Sequence, residues 1–388
     1  MGRIGPIRLM GPMGLMRLIG PIGLMALIGC SSDSHEPEVV DDVPVVETGT
    51  AIAFLAEQGS EESVTRAATS LHDKGVNAFK VWGFKNMSYD DGTGYDELQT
   101  VMPSYTVRWY NNSATTTTTN THGWEYVNQQ SSGQEEQTIK FWDWGATAYR
   151  FFAVADPTNG ANNPYTATMT GNNYEVTVDV DATSEAGIEA TPYYSLLWFS
   201  TGNAELGHKP FGQPVQLEFL KPISRVRFMF IYEKAEDALY TTLAGKLFGP
   251  SDPTARIHRK GTAKITYPLK GTGTAESFEV VSRTDAGIPA FDQDYYEAAN
   301  DIDAYKWYDV LPTADQGAYQ GAFTLTVMVN GVEKTASVPA AFMVWKPGYQ
   351  YTYIFKVHVD GGVSIDAVQS AFTPWTSVSL GNHTMYNW

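Results

Sequence analysis

An all-β chain built of antiparallel sandwiches is what this sequence predicts, on three observations. Apolar residues recur with a period of two over many short stretches, only one stretch carries a helical spacing, and Gly, Pro and Asn punctuate the chain between them. Successive residues of a strand point to opposite faces, so each such stretch buries one side and wets the other. Of the 388 residues, 43% of them hydrophobic, the 359 that follow residue 29 match two domains by the usual prior of ~150 residues each.

Taken in order, the chain opens on Arg3, Arg8 and Arg17, followed by an apolar run from Leu18 to Gly29. That run is shorter than the ~20 residues a membrane-spanning helix needs. A charged start, a short apolar run and small residues at its end match a secretory signal peptide over residues 1–29. Leu27-Ile28-Gly29-Cys30 looks like a bacterial lipobox, whose cysteine receives diacylglycerol and becomes the new N-terminus. The alternative is an ordinary signal with an incidental cysteine. Gly5-Pro6-Ile7, Gly11-Pro12-Met13 and Gly20-Pro21-Ile22 repeat one unit, and a start as late as Met16 leaves the anchor unchanged. Cys30 is the one cysteine, which excludes a disulfide within the chain and any cysteine cluster for zinc.

The whole chain carries a net charge of −17. Removing residues 1–29 takes three arginines and no acid with it, leaving 23 basic against 43 acidic side chains. Such a surface repels nucleic acid and anionic membrane and favours solubility. Residues 30–48 are polar, acidic and broken by Pro37 and Pro44, and read as a solvated tether.

From Thr50 the strand pattern takes over. Ile52 and Phe54 alternate with Ala51, Ala53 and Leu55, so Thr50–Ala56 fits a strand. The polar stretch QGSEESVTRAAT follows, in which Arg66 is the only basic residue between Cys30 and Lys74. An exposed loop with small neighbours is where proteases cut; an uncut surface arginine is the plainer alternative. Asp90, Asp91, Asp96 and Glu97 depart from the EF-hand spacing and read as a solvated acidic turn. Thr115–Thr119, flanked by Asn111, Asn112 and Asn120, reads as a loop tip.

Trp109, Trp124, Trp142, Trp144 and Trp198 crowd the first half. Buried, they are sandwich core or subunit contact; exposed, they are a platform for sugar rings. A period of two puts Trp142 and Trp144 on one face of IKFWDW. Tyr174, Val176, Val178 and Val180 mark a further strand. The stretch Thr201–Pro214 is rich in Gly and Pro and divides the chain into domains 49–210 and 211–388. Lys234–Leu247 carries the one helical spacing. Phe323, Leu325, Val327 and Val329 precede Asn330-Gly331, a type I′ hairpin signal. The clearest alternation of all runs through Tyr349, Tyr351, Tyr353, Phe355, Val357 and Val359.

Signals of chemistry are nearly missing. No two of the seven histidines lie within five residues of each other, and there is neither a G-x-S-x-G elbow nor a phosphate loop. Paired carboxylates for glycoside hydrolysis are assembled by a fold and leave no spacing to read. The expectation is therefore no catalytic, cofactor or metal residue.

The lipobox, the acidic tether, AIAFLAEQGSEESVTRAATS, the YRFFAVADP strand, LEFLKPISRVRFMFIY and WKPGYQYTYIFKVHV occur in an order that resembles the fimbrillin family of Bacteroidetes surface lipoproteins. The likeness covers nearly the whole mature chain. It implies two consecutive transthyretin-like β-sandwich domains. It further implies a non-enzymatic fimbrial subunit, held in the outer membrane through Cys30 and polymerised outside the cell for adhesion. In such families an Arg-specific protease cuts behind the first strand, which here is the bond between Arg66 and Ala67. A strand from another subunit then takes the vacated place, so the implied partners are other fimbrial subunits, with a host protein or glycan as adhesive target.

The segment Thr376–Trp388, with Val378, Leu380 and Met385, is either that donor or a final edge strand of its own sandwich; Pro374 suits an edge or a bend. Shaft, tip and anchor roles all remain open. The alternative function is a glycan-binding outer-membrane lipoprotein that uses the first-half tryptophans.

Overall fold

The computed structural model describes residues 49–58, 70–88, 96–111, 117–200, 211–269, 277–293, 306–313 and 321–372, all within one unit that begins at Gly49. These residues form nineteen strands. The first nine are β1 (Phe54–Gln58), β2 (Ala78–Ser88), β3 (Asp96–Trp109), β4 (Trp124–Glu125), β5 (Ala146–Ala155), β6 (Thr168–Thr170), β7 (Asn173–Asp181), β8 (Tyr193–Ser200) and β9 (Val215–Phe219). The next five are β10 (Ser224–Tyr232), β11 (Leu243–Pro250), β12 (Lys260–Pro268), β13 (Ser277–Arg283) and β14 (Phe291–Gln293). The last five are β15 (Tyr308–Val310), β16 (Phe323–Val329), β17 (Val332–Val338), β18 (Tyr349–Val357) and β19 (Val363–Phe372).

A five-stranded antiparallel sheet, ordered β4-β3-β2-β5-β8, is covered on both faces. Phe79, Val81 and Phe151 face the pair β1-β9, whose Phe54, Val215, Leu217 and Phe219 join the same core. Trp82, Phe84, Phe152 and Val154 face the opposite way, onto the sheet β13-β12-β7-β6 with its Val176, Val178, Ala263 and Ile265. Double coverage explains why β5 reads YRFFAVA, a nearly continuous apolar run rather than an alternation. A third core lies between the sheets β15-β10-β18-β19 and β14-β11-β16-β17, filled by Phe228, Phe248, Phe291, Phe323, Trp345 and Tyr353.

The all-β prediction holds, and the strands expected around 174–180, 323–329 and 349–359 are present, the last ending at Val357 with Val359 exposed in the turn beyond it. Asn330 and Gly331 both take positive φ, 50° and 78°, as a type I′ hairpin requires. Two strand pairs are parallel, β1 with β9 and β10 with β18. A parallel pair cannot be joined by a hairpin, so its partners lie far apart in sequence and leave no local signal.

Strand pairing and packing run across residue 210. β9 closes the core of β1, and β12 pairs with β7 along its whole length. The third core takes its first residue at Val226, but the chain returns to the second core through residues 263–269, Phe278, Val280 and Leu311, so the two cores are interleaved in sequence.

Three local expectations are corrected. Lys234–Leu247 is not a helix: Ala235–Leu239 is a short 3₁₀ turn and β11 begins at Leu243. Leu239 and Tyr240 are each 80% exposed, so the spacing has no core to face. Gly245 takes φ 52° beside a bulge between Ala244 and Leu247, which a helix would not accommodate. The α-helix among the described residues is Glu185–Ala190, capped by the Ser184 hydroxyl, which accepts from the Gly187 amide.

The second correction concerns the threonine run. Thr119 is buried, and the Thr117 and Thr119 hydroxyls donate to the buried carboxylate of Glu125. That carboxylate also accepts from the amides of Thr117, Tyr126 and Val127 at 3.2, 2.8 and 2.8 Å. The third is the pair Trp142 and Trp144, whose rings both adjoin Phe211, at 5.3 and 6.3 Å, but which lie in no continuous strand. The chain turns at Trp144-Gly145, the Ala146 amide donating to the Asp143 carbonyl, which buries the first indole and leaves the second 63% exposed.

Candidate functional site

The segment Gly49–Gln58 is the point at which the sequence argument and the packing meet. Its alternation places Ile52 and Phe54 on one side, and both are fully buried. The named strand starts at Phe54, with an isolated bridge from Ala51 to Phe141 ahead of it. Phe54 meets the rings of Phe79, Tyr126 and Phe151 edge-on, at centroid distances of 6.1, 5.9 and 5.7 Å.

Backbone bonds hold the segment on both sides. The Ile52 amide donates to the Lys140 carbonyl at 2.7 Å, and the Thr50 carbonyl accepts from Trp142 at 3.0 Å. On the other side the Val215 amide donates to the Ala53 carbonyl at 2.7 Å, and β1 then runs in register with β9 from Phe54↔Val215 to Gln58↔Phe219. Past the intervening loop, Leu71 is buried and its amide donates to the Ala56 carbonyl at 3.0 Å. The segment is thus an inserted strand, fixed by backbone bonds and two large side chains.

Without that strand a groove would remain. Its floor would be Phe79, Tyr126 and Phe151, and one wall the unpaired edge of β9, with its buried Val215, Leu217 and Phe219. Each apolar side chain that fills such a groove contributes ~1.5–3 kcal/mol. An open strand edge is in addition a template for pairing with another chain. Among the described residues the segment is held by strand pairing along β9 and by the burial of Ile52 and Phe54.

Cys30, Arg66, Ala67 and the segment Thr376–Trp388 lie outside the described residues, as do Asp90 and Asp91. Arg66 falls between the end of β1 at Gln58 and the first described residue after it, Ser70. No group of His, Cys, Asp or Glu among the described residues could hold a metal ion. Trp124 and Trp142 are buried and Trp109 is stacked on His72 at 4.1 Å, whereas Trp144 is 63% exposed; the side chain of Trp198 lies outside the described residues. Sequence reasoning missed β9 as the partner of β1, because the pairing is parallel and spans more than half of the first sandwich.

The profile of the fimbrillin-like family matches residues 65–375, and the chain belongs to that family. It is accordingly a structural subunit of a cell-surface fimbrium that associates with other fimbrial subunits, and not an enzyme. No curated protein matches the sequence. Among solved structures, a fimbrial protein from Bacteroides vulgatus is 13% identical with a TM-score of 0.38, covering 83% of this chain and 99% of that one. The tip fimbrial protein Mfa3 from Porphyromonas gingivalis, with a C-terminal truncation, is 9% identical with a TM-score of 0.33, covering 83% and 100%. At such values the family match, and not these likenesses, carries the assignment.

Proposed function

We propose that this subunit is exported as a lipoprotein acylated at Cys30 and held in the outer membrane until it is cut between Arg66 and Ala67. The cut frees β1 from the rest of the fold. A strand from another subunit, drawn from a segment equivalent to Thr376–Trp388, then enters the groove and joins the two into a fibre that contributes to adhesion. The observation that carries this reading is the burial of Ile52 and Phe54 on a strand whose C-terminal end leads directly into the stretch bearing Arg66.

The chemistry is backbone pairing plus pocket filling. An added strand supplies hydrogen bonds along β9, and its alternate side chains supply specificity. Val378 and Leu380 share one face of a strand, as that role needs, and the donor form makes the segment leave its own domain at Pro374. Free energy lost by removing β1 returns when the groove is refilled, so cleavage couples processing to polymer growth.

Sedimentation of three samples tests the proposal: intact mature protein, protein cut at Arg66, and cut protein ending at Trp375. The intact form remains monomeric, the cut form polymerises, and the shortened cut form does not. Equal polymerisation of the two cut forms removes the C-terminal segment from the role of donor.

A further inference from the structure

Three loops meet at one end of the C-terminal sandwich. The Asn330 amide donates to the Thr242 carbonyl at 2.8 Å, and its side-chain oxygen accepts from the Thr242 amide at 2.7 Å, which ties the β10–β11 loop to the β16–β17 hairpin. The Val359 amide donates to the Glu233 carboxylate at 3.0 Å, and His358 lies 3.5 Å from the same carboxylate, which ties in the β18–β19 hairpin. A Cβ on Gly361 would stand 3.9 Å from both Lys334 and Val329, so the two hairpins also touch each other.

The crown of this end is apolar. Leu239 and Tyr240 are each 80% exposed, Val332 56% and Val359 57%. A surface loop gains nothing by presenting a leucine and a tyrosine side by side to water, and contiguous exposed apolar residues mark interaction sites. The rim is charged: Glu233, Glu236, Asp237, Glu333 and Asp360 stand against Lys234, Lys334 and the Lys356 and His358 beside Glu233. β10 runs from Ser224 to Tyr232 and leads directly into Glu233, so the crown lies beyond the C-terminal end of β10.

We propose that this end is a docking surface for a cationic polypeptide, one that presents apolar or aromatic side chains ringed by lysine and arginine. Charge selects the occupant. A second copy docked through the same crown would set five carboxylates against five, on a chain whose net charge is −17. An anionic membrane or a nucleic acid is repelled for the same reason. A basic partner is drawn to the rim and buries the crown, with Tyr240 as the anchor, since tyrosine carries large contact area at low entropic cost. The surface shares no residue with β1 or its groove and stands independently of strand replacement.

The test uses intact mature protein and a short labelled peptide of repeated Arg-Leu-Tyr-Lys, with an acidic peptide of repeated Glu-Leu-Tyr-Asp as its counterpart, followed by fluorescence anisotropy. The basic peptide binds and the acidic one does not. Leu239→Ser with Tyr240→Ser lowers the affinity about tenfold, as loss of a central anchor does. Glu236→Lys with Glu333→Lys also lowers it, and so does added salt. A control of equal charge change, Glu135→Lys with Glu136→Lys in the first sandwich, leaves it unaltered. Equal weakening by the control, or no effect of the serine pair, overturns the proposal in favour of general attraction to an acidic protein. Self-association of the unliganded protein that the serine pair abolishes overturns it in favour of a second copy.

Discussion

Phe54 is the side chain on which the groove depends most. It is fully buried and touches three rings, so Phe54→Ala removes both its transfer free energy and its packing, and costs the uncut protein ~3–5 kcal/mol in denaturant unfolding. The same variant, once cut at Arg66, polymerises at least as readily as wild type, because β1 is absent from the assembled groove. A residue that belonged permanently to the core would weaken both states.

Asp156 offers a second test at this scale. Burial raises its carboxyl, but the side chains of Asn159 and Thr158 and their backbone amides, at 2.7–3.0 Å, outweigh burial and hold it below its ordinary value of 3.8. A depressed folded pKa stabilises above the unfolded value and is lost as pH falls through the folded one. Asp156→Ala therefore costs about 1–3 kcal/mol at neutral pH. Urea unfolding shows that difference shrinking as the solution is taken below pH 3.8.

Ile52 and Phe54 were legible because strand alternation fixes which residues share a face. Glu125 was not. A lone carboxylate in a sequence carries no sign that two threonines and three amides will converge on it. Trp142 and Trp144 both adjoin Phe211, yet the chain turns just after them and leaves only the second exposed, which the spacing does not tell.

At the scale of elements, strands with one wet face were read correctly, since burial on one side imposes a period of two on the sequence. β5 was recognisable by its continuous apolar run, but nothing in it told which sheets would cover it. Parallel partners were illegible for a topological reason: β9 lies beyond β8, and β18 far beyond β10, with no hairpin between them. The stretch after β1 carries the decisive prediction of this scale. A brief digest with an Arg-specific protease nicks the folded mature chain first after Arg66, as mass analysis of the fragments records. Arg227, buried with its Nε donating to Thr352, and Arg225, ion-paired to Asp309 at 2.7 Å, are cut later. An early cut within β10 with Arg66 intact counts against an exposed processing loop.

For the whole molecule, three cores and an acidic sequence describe a subunit in which the proposal makes β1 the replaceable part. Its single cysteine can close no bridge within the chain, so packing, hydrogen bonds and ion pairs hold the fold. The cysteine's role is tested apart from the fold: Cys30→Ser leaves a precursor that does not partition into detergent, and retention in the outer membrane fraction equal to wild type contradicts the anchor. The central claim is that β1 occupies its groove only until another subunit replaces it. The composition of the polymer tests it most directly. Mature protein cut at Arg66 is allowed to polymerise, the polymer is pelleted and washed, and its peptides are quantified by mass spectrometry. Polymer made of chains that begin at Ala67, with residues 30–66 left in the supernatant, is the predicted result; residues 30–66 present in the pellet in equal number with residues 67–388 would contradict it.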